Sequence, residues 1–368
     1  MEGPDPMPRD ILRTGRPFGL AEDPRLTIMI PTMGRPGFVL RLLDYYSGVR
    51  FRHRVVIGDS SEADVVAAMR ADIERFEGRL DVVYQECPGL NDRDCLRELV
   101  LALDTPYAVF VADDDFLVPA GLEESMTFLD LEPGYSSAHG VGATVVLDDS
   151  GPRGRVVTAG PYAALKPVEG ATAAARLRGY LSDYSVMLFS VQRAAVWRAM
   201  YPDVSLPDKS FESELLPCCL SVVEGPSRQL EKLQVVRQVH DRQYSLPGPI
   251  DWMMREGWRP AYLGFREVIA GRVAEKDGIS VAEGLAVVEE AFLAYLTNVL
   301  RSKLSAMRAA ETRRASRRGL LASAARWVKY RVLDRDAISL TNLLAPGSRY
   351  YDDFMPVYRA LTGAANDR

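Results

Sequence analysis

Three adjacent carboxylates, Asp113-Asp114-Asp115, are the residues of this 368-residue chain best equipped for chemistry. Side by side they repel one another and lose solvation if packed, so something must compensate their charge. A divalent cation does this, and carboxylate oxygens suit the hard ions Mg2+ and Mn2+. Such an ion holds a diphosphate and neutralises its charge as a bond to it breaks. The plainer alternative is a solvated acidic turn capping a helix that starts near Pro119. Two further polar clusters, Pro31–Pro36 and Asp59-Ser60-Ser61, also follow short apolar runs. Any one strand can end in polar residues by chance, but three such ends on one sheet edge form a pocket.

The elements that must position these clusters alternate along the first half. Leu26–Ile30 has the composition of a strand and is followed by helical spacing from Phe38 to Tyr46. Arg54–Ile57 is a second strand, with a helix through about Phe76, and Leu80–Gln85 is a third. Asn91 is placed to N-cap the next helix, with Asp92 and Asp94 in its first turn. Tyr107–Ala112 is a fourth strand, ending in the Asp triplet. Alternation of this kind predicts right-handed βαβ units and an α/β fold with a mainly parallel sheet. In such sheets ligands bind beyond the carboxyl ends of the strands. After about Leu131 the pattern changes. Val141–Leu147, Arg155–Thr158, Ser185–Val191 and Leu233–Val239 are predicted strands, with helices over Ala194–Met200 and near Glu212–Val222. From about Asp251 the chain is predicted helical, with a boundary at Pro247-Gly248-Pro249.

Composition excludes several classes. At 47% hydrophobic and 26% charged, the chain can bury a core and is not broadly disordered. No apolar run approaches the roughly 18 residues of a membrane span. Met1 to Arg25 lacks the apolar segment of a secretory signal, which points to a cytoplasmic protein. The net charge is −5, yet residues 313–335 carry +7, which leaves −12 on the remainder. An acidic body is a poor nucleic-acid binder. Cys87, Cys95, Cys218 and Cys219 form no CxxC pair, and His53, His139 and His240 are scattered, so a zinc site is not expected.

The order of three motifs resembles the GT-A nucleotide-sugar glycosyltransferases, specifically the family 2 group. They are Ile28-Met-Ile-Pro-Thr32, Ile57-Gly-Asp-Ser-Ser61 and Val111-Ala-Asp-Asp-Asp115, the last matching the Asp-x-Asp motif. The resemblance covers about Arg25 to Ser245. It implies a Rossmann-like GT-A domain over residues 25–247, after an N-terminal extension of residues 1–24 and before a helical C-terminal region of residues 248–368. It also implies a metal-dependent transfer of sugar from a nucleoside-diphosphate sugar, UDP-sugar by family frequency, to an acceptor hydroxyl with inversion.

Carried onto this chain, the resemblance implies that Pro31 and Thr32 line the nucleotide pocket and that Asp59 accepts from the base. An Asx turn is the alternative for Asp59. Asp113 would reach the ribose or a metal-bound water, with Asp114 beside it in the nucleotide-sugar site, and Asp115 would ligate Mn2+ or Mg2+. Asp92 and Arg93 would lie near the base and the diphosphate, and Arg93 and Arg35 are phosphate partners by charge. His240 would be a further metal ligand, with Arg237 and Arg242 weaker diphosphate candidates. The acceptor's base would be Glu212 or Glu214, with Asp208 a third candidate. Helical spacing sets Glu212 and Glu214 about 200° apart, so only one can face the site. Glu212 is preferred by its distance from Leu215-Leu216.

The acceptor is a glycan, lipid, peptide or small natural product, since acceptor pockets come from variable loops. In residues 313–335, Leu321, Ala325, Val328 and Val332 share one helical face, with Arg326, Lys329 and Arg331 off it and Trp327 nearby. That pattern fits peripheral contact with an anionic membrane, or packing on the acidic domain, or a homo-oligomer contact. Three other functions stay open at this point. A retaining transferase would need no base. A sugar nucleotidyltransferase would want a more Gly-rich, basic loop than Pro31–Pro36. An inactive GT-A fold would serve as a binding or scaffold module.

Overall fold

The computed structural model describes residues 11–14, 25–163, 165–241, 249–315 and 337–363. Its centre is a ten-stranded sheet. The strands are β1 (Ile11–Thr14), β2 (Leu26–Thr32), β3 (Arg54–Asp59), β4 (Val82–Glu86), β5 (Tyr107–Phe110), β6 (Phe116–Leu117), β7 (Ser137–Leu147), β8 (Val156–Tyr162), β9 (Val191–Arg193) and β10 (Ser227–Val239). Their order is β1-β4-β3-β2-β5-β9-β7-β10-β6, with β8 paired to β7. Strands β4, β3, β2 and β5 run parallel, as do β7 and β10, while β1, β6, β8 and β9 are antiparallel to their neighbours. Leu26-Thr-Ile-Met-Ile30 is nearly all apolar because both of its faces are covered. The chain leaves β2 on one side through β3 and β4, and returns to its other side as β5. The carboxyl ends of β2 and β5 therefore meet at a topological switch point.

The helices are α1 (Pro36–Gly48), α2 (Ala63–Glu74), α3 (Asp92–Leu101), α4 (Pro119–Leu131), α5 (Ala173–Ser182), α6 (Ala194–Met200), α7 (Leu216–Glu224), α8 (Pro249–Met253), α9 (Trp258–Asp277), α10 (Val281–Ala315), α11 (Leu340–Leu343) and α12 (Tyr351–Thr362). Pro36 starts α1, where its fixed φ and missing N–H cost nothing. Asn91 caps α3 as expected, its side chain accepting from Asp94 N at 2.8 Å. The two sheet faces bury separate cores. On one, Leu26, Ile28 and Ile30 pack with Leu42 and Leu43 of α1 and with Phe354, Val357 and Leu361 of α12. On the other, Met29 and Val56 pack with Leu96, Leu99, Trp197, Phe265 and Phe292. This is the mainly parallel, Rossmann-like α/β sheet with flanking helices and a helical C-terminal region that the GT-A resemblance implies.

Three local expectations change. Ser185–Val191 is not one strand. Met187–Phe189 forms a 3₁₀ turn closed by Ser190 N on Met187 O, and only Val191–Arg193 pairs in the sheet. A short apolar run does not distinguish the two. The helix expected near Glu212 opens as a π-helical turn over Ser210–Leu215. Pro217 has no N–H to give to Ser213, and Leu216 N bonds Phe211 O, five residues back. Ile11–Thr14, in the expected N-terminal extension, lengthens the sheet beside β4. Pro247, Gly248, Arg242 and the basic residues between 316 and 336 lie outside the described residues.

Candidate functional site

The switch point positions the Asp triplet. Thr32, the last residue of β2, donates its hydroxyl to Asp113 Oδ2 at 2.7 Å. Gly34 follows with φ +67, a backbone that favours glycine, and its N–H reaches Ser61 Oγ at 2.7 Å. That turn brings Arg35 back over the strand end. Arg35 Nη1 lies 2.6 Å from Asp113 Oδ1, and Nη2 lies 3.0 Å from Asp114 Oδ2. From β10, Arg237 Nε donates to Asp115 Oδ2 at 2.9 Å, and the Gln238 N–H donates to Asp115 Oδ1 at 3.0 Å. His240, just past β10, places Nε2 2.9 Å from Asp114 Oδ2.

The direct partners of the triplet in this structure are groups of the protein. The compensating groups are protein cations. Arg35 and Arg237 contact the carboxylates directly, and Arg41 of α1, itself buried, donates from Nη2 to Asp114 O at 2.7 Å and from Nη1 to Gln238 Oε1. Five of the six carboxylate oxygens accept hydrogen bonds, three from the guanidiniums of Arg35 and Arg237 and two from the Thr32 hydroxyl and the Gln238 N–H. Asp114 Oδ1 is the sixth, buried without a hydrogen-bond partner among the described residues. Asp115 and His240, expected as metal ligands, are turned toward Arg237 and Asp114 instead. No group of three His, Cys, Asp or Glu among the described residues is arranged to hold a metal ion.

Burial sets the electrostatics. It pushes the Asp113 carboxyl up to about 6, against the opposing pull of Arg35. It also raises Asp115, while the guanidinium at 2.9 Å pulls the other way, and the pair holds as an ion pair. Burial lowers Arg41 to about 10 despite three nearby carboxylates. Phe38 of α1 is a platform beneath the cations. Arg35 lies 4.2 Å from its ring centroid, and His240 stacks on it at 5.8 Å. Arg237 sits over Tyr162 and Phe189 at 5.1 Å each.

The base candidates separate. Glu212 turns back to cap the preceding loop, accepting from Leu206 N at 3.0 Å. Asp208 accepts from Ser210 N, Phe211 N and Trp252 Nε1. Glu214 instead accepts from Tyr184 OH at 2.8 Å and lies within the field of Arg237. Burial raises its carboxyl above the ordinary range, with Tyr184 and Arg237 opposing. Glu212, preferred in the sequence, thus bonds back into its own loop, while Glu214 lies on the side of Arg237.

Other expected site residues are engaged elsewhere. Asp59 forms the alternative Asx turn, Oδ1 accepting from Ser61 N at 2.8 Å, and Oδ2 accepts from Tyr84 OH at 2.7 Å. Arg93 is buried, pairing with Asp94 and donating to Pro202 O and Val204 O, so it ties α3 to a loop. Asp92 pairs with Lys209 at 3.1 Å. Pro31 lies in β2, opposite Gly58 of β3. Sequence reasoning missed Arg41, Phe38 and Tyr184. Arg41 left one signal, a lone cation in the apolar run Phe38-Val-Leu-Arg-Leu-Leu43.

No family model matches the chain, and no curated protein matches it in sequence. Solved structures are similar to it in general fold. S. aureus TarS, residues 1–349, is 13% identical, with 73% of this chain and 70% of that chain covered at a TM-score of 0.45. It has also been solved with UDP and with UDP-GlcNAc. The mannosyltransferase PcManGT from Pyrobaculum calidifontis, in complex with GDP-Man and Mn2+, is 14% identical, with 88% and 84% covered at a TM-score of 0.42. A CMP:2-keto-3-deoxy-manno-octonic acid synthetase complexed with CTP is 12% identical, with 57% and 90% covered at 0.35. At that distance the likeness carries no argument about activity, and what each of those proteins binds belongs to that protein.

Proposed function

We propose that this chain transfers a sugar from a nucleoside-diphosphate sugar to an acceptor hydroxyl. One observation carries the reading. At the carboxyl ends of β2 and β5, where an open α/β sheet takes its ligand, the motif residues Thr32, Arg35, Asp113 and Asp114 are joined in one hydrogen-bonded cluster, which Arg41 and Gln238 extend to Asp115. Its outward groups are cations, which suit a diphosphate. Pro31 and Thr32 would line the nucleotide side. UDP-sugar is the default donor by resemblance to family 2 enzymes. The acceptor is a glycan, lipid, peptide or small natural product.

Glu214 is the base in this reading. A general base works best when its pKa approaches the working pH, and burial moves Glu214 that way. It would take the proton from the acceptor hydroxyl as the acceptor oxygen attacks the anomeric carbon from the face opposite the diphosphate, which inverts that centre. A divalent ion has no part in the scheme, because five of the six carboxylate oxygens are already engaged and the sixth, Asp114 Oδ1, is buried. The test follows nucleoside diphosphate released from a panel of UDP-, GDP-, dTDP- and CDP-sugars, to water or to mixed hydroxyl acceptors. Glu214→Gln is expected to lower kcat by about 10²–10⁴-fold and leave donor affinity unchanged. The wild-type acid limb should fall above the ordinary glutamate range. No release from any donor overturns the reading, and full activity of Glu214→Gln removes Glu214 from it.

A further inference from the structure

The carboxylate triplet is not the surface that a ligand meets. The side chains of Asp113, Asp114 and Asp115 are 5%, 3% and 0% exposed, whereas those of Arg35 and Arg237 are 29% and 23% exposed. The guanidiniums stand between the acids and solvent. A cation of the Mg2+ or Mn2+ type takes about six oxygens, of which one or two come from accessible carboxylates and the rest from substrate phosphates and water. The triplet offers one uncommitted oxygen, Asp114 Oδ1, and that one is buried. To recruit more, Arg35 would have to abandon both of its ion pairs and its place over Phe38. Asp115 would have to release Arg237 and the Gln238 N–H. Each step strands a charge in a dry site, which is costly. Opposite charge has already been matched within the protein, with Arg35, Arg41 and Arg237 against the three acids.

We propose that Arg35 and Arg237, not a divalent ion, supply the positive charge that the donor's diphosphate meets, with the Asp triplet fixing the two guanidiniums in place. The inference rests on the nucleotide-sugar reading above. In the transfer, the bond between the anomeric carbon and the bridging phosphate oxygen breaks, and its electron pair stays on that oxygen. The acceptor oxygen forms the new bond, and the acceptor proton passes to Glu214. The leaving diphosphate gains one negative charge at that moment. Guanidinium N–H groups fixed beforehand by carboxylates need no reorganisation to accept it.

The test is calorimetric binding of UDP, GDP and inorganic pyrophosphate to the full chain, once in EDTA and once in Mn2+. The expected result is one nucleotide bound with the same affinity in both. Arg35→Gln should weaken it about 10- to 100-fold, the effect of losing charge-assisted hydrogen bonds. Arg237→Gln would strand the buried Asp115, so the paired variant Arg237→Met/Asp115→Asn is the companion. It should weaken binding similarly while its melting curve stays cooperative. Binding that appears only with Mn2+, or that is unchanged in Arg35→Gln, overturns the inference and leaves the transferase reading standing. No binding of any of the three probes in either condition overturns both.

Discussion

Asp113 concentrates the cost of this site in one side chain. Burial outweighs Arg35 and holds its carboxyl near 6, above the ordinary aspartate value of 3.8. The unfolded chain therefore loses this proton first as the pH rises. The stability linked to the protonated carboxyl is fully present below about pH 4 and is lost as the pH climbs through about 6. Denaturant midpoints between pH 4 and 7 should fall more steeply for wild type than for Asp113→Asn. Parallel slopes would show that Asp113 titrates normally. The same scale explains why Asp59 carries two readings. In sequence, an Asp after a strand is equally a ligand for a base and an Asx turn. Tyr84, 25 residues away, gives Asp59 a second partner, and no local spacing encodes it.

The element that sets Glu212 and Glu214 apart is the π-helical turn over Ser210–Leu215. Helical spacing lets only one of the two glutamates face the site, and here Glu212 is drawn back to Leu206 N, leaving Glu214 on the side of Tyr184. Phe211 anchors the turn. It is fully buried among Trp252, Trp258, Tyr262, Phe265 and Phe292, so α8, α9 and α10 are packed through it. Phe211→Ala should cost about 3–5 kcal/mol in denaturant unfolding. It should also reduce activity beyond the stability loss, because the turn that carries Glu214 loses its anchor. A loss under about 1 kcal/mol, on the scale of a surface substitution, would show that the cluster repacks without it. A buried aromatic at this position was legible as apolar, whereas its role as a hub was not.

Across the whole molecule, the C-terminal region is shared between both cores. Helices α9 and α10 cover one sheet face with α5 and α7, while α12 crosses to the other and packs on α1. Removing residues 337–368 would strip Leu343, Tyr350, Phe354, Val357 and Leu361 from the first core. At about 1.5–3 kcal/mol per buried apolar side chain, that loss rivals the usual 5–15 kcal/mol stability of a domain. The truncated chain should show no cooperative melting transition by circular dichroism. A native-like melt would mean that α12 is an ornament of the fold. No described helix is long and apolar enough to cross a membrane. Of the segment 313–335, expected to make peripheral membrane contact, residues 316–335 lie outside the described residues.

The sequence by itself determined the strand–helix alternation, the cap at Asn91 and the gathering of Pro31–Pro36 and Asp113–Asp115 at strand ends. Each follows from local periodicity, capping chemistry or chain order. Tertiary structure alone decided what balances the Asp triplet. Arg237 lies 122 residues from Asp115 along the chain, and Arg35 lies 78 from Asp113. Periodicity reports which side of an element is buried. It does not report which distant cation arrives there, because that depends on strand order, and here β10 reaches the triplet through its pairing with β6 and β7. The demand for positive charge was therefore readable in the chain, and its source was set by the sheet.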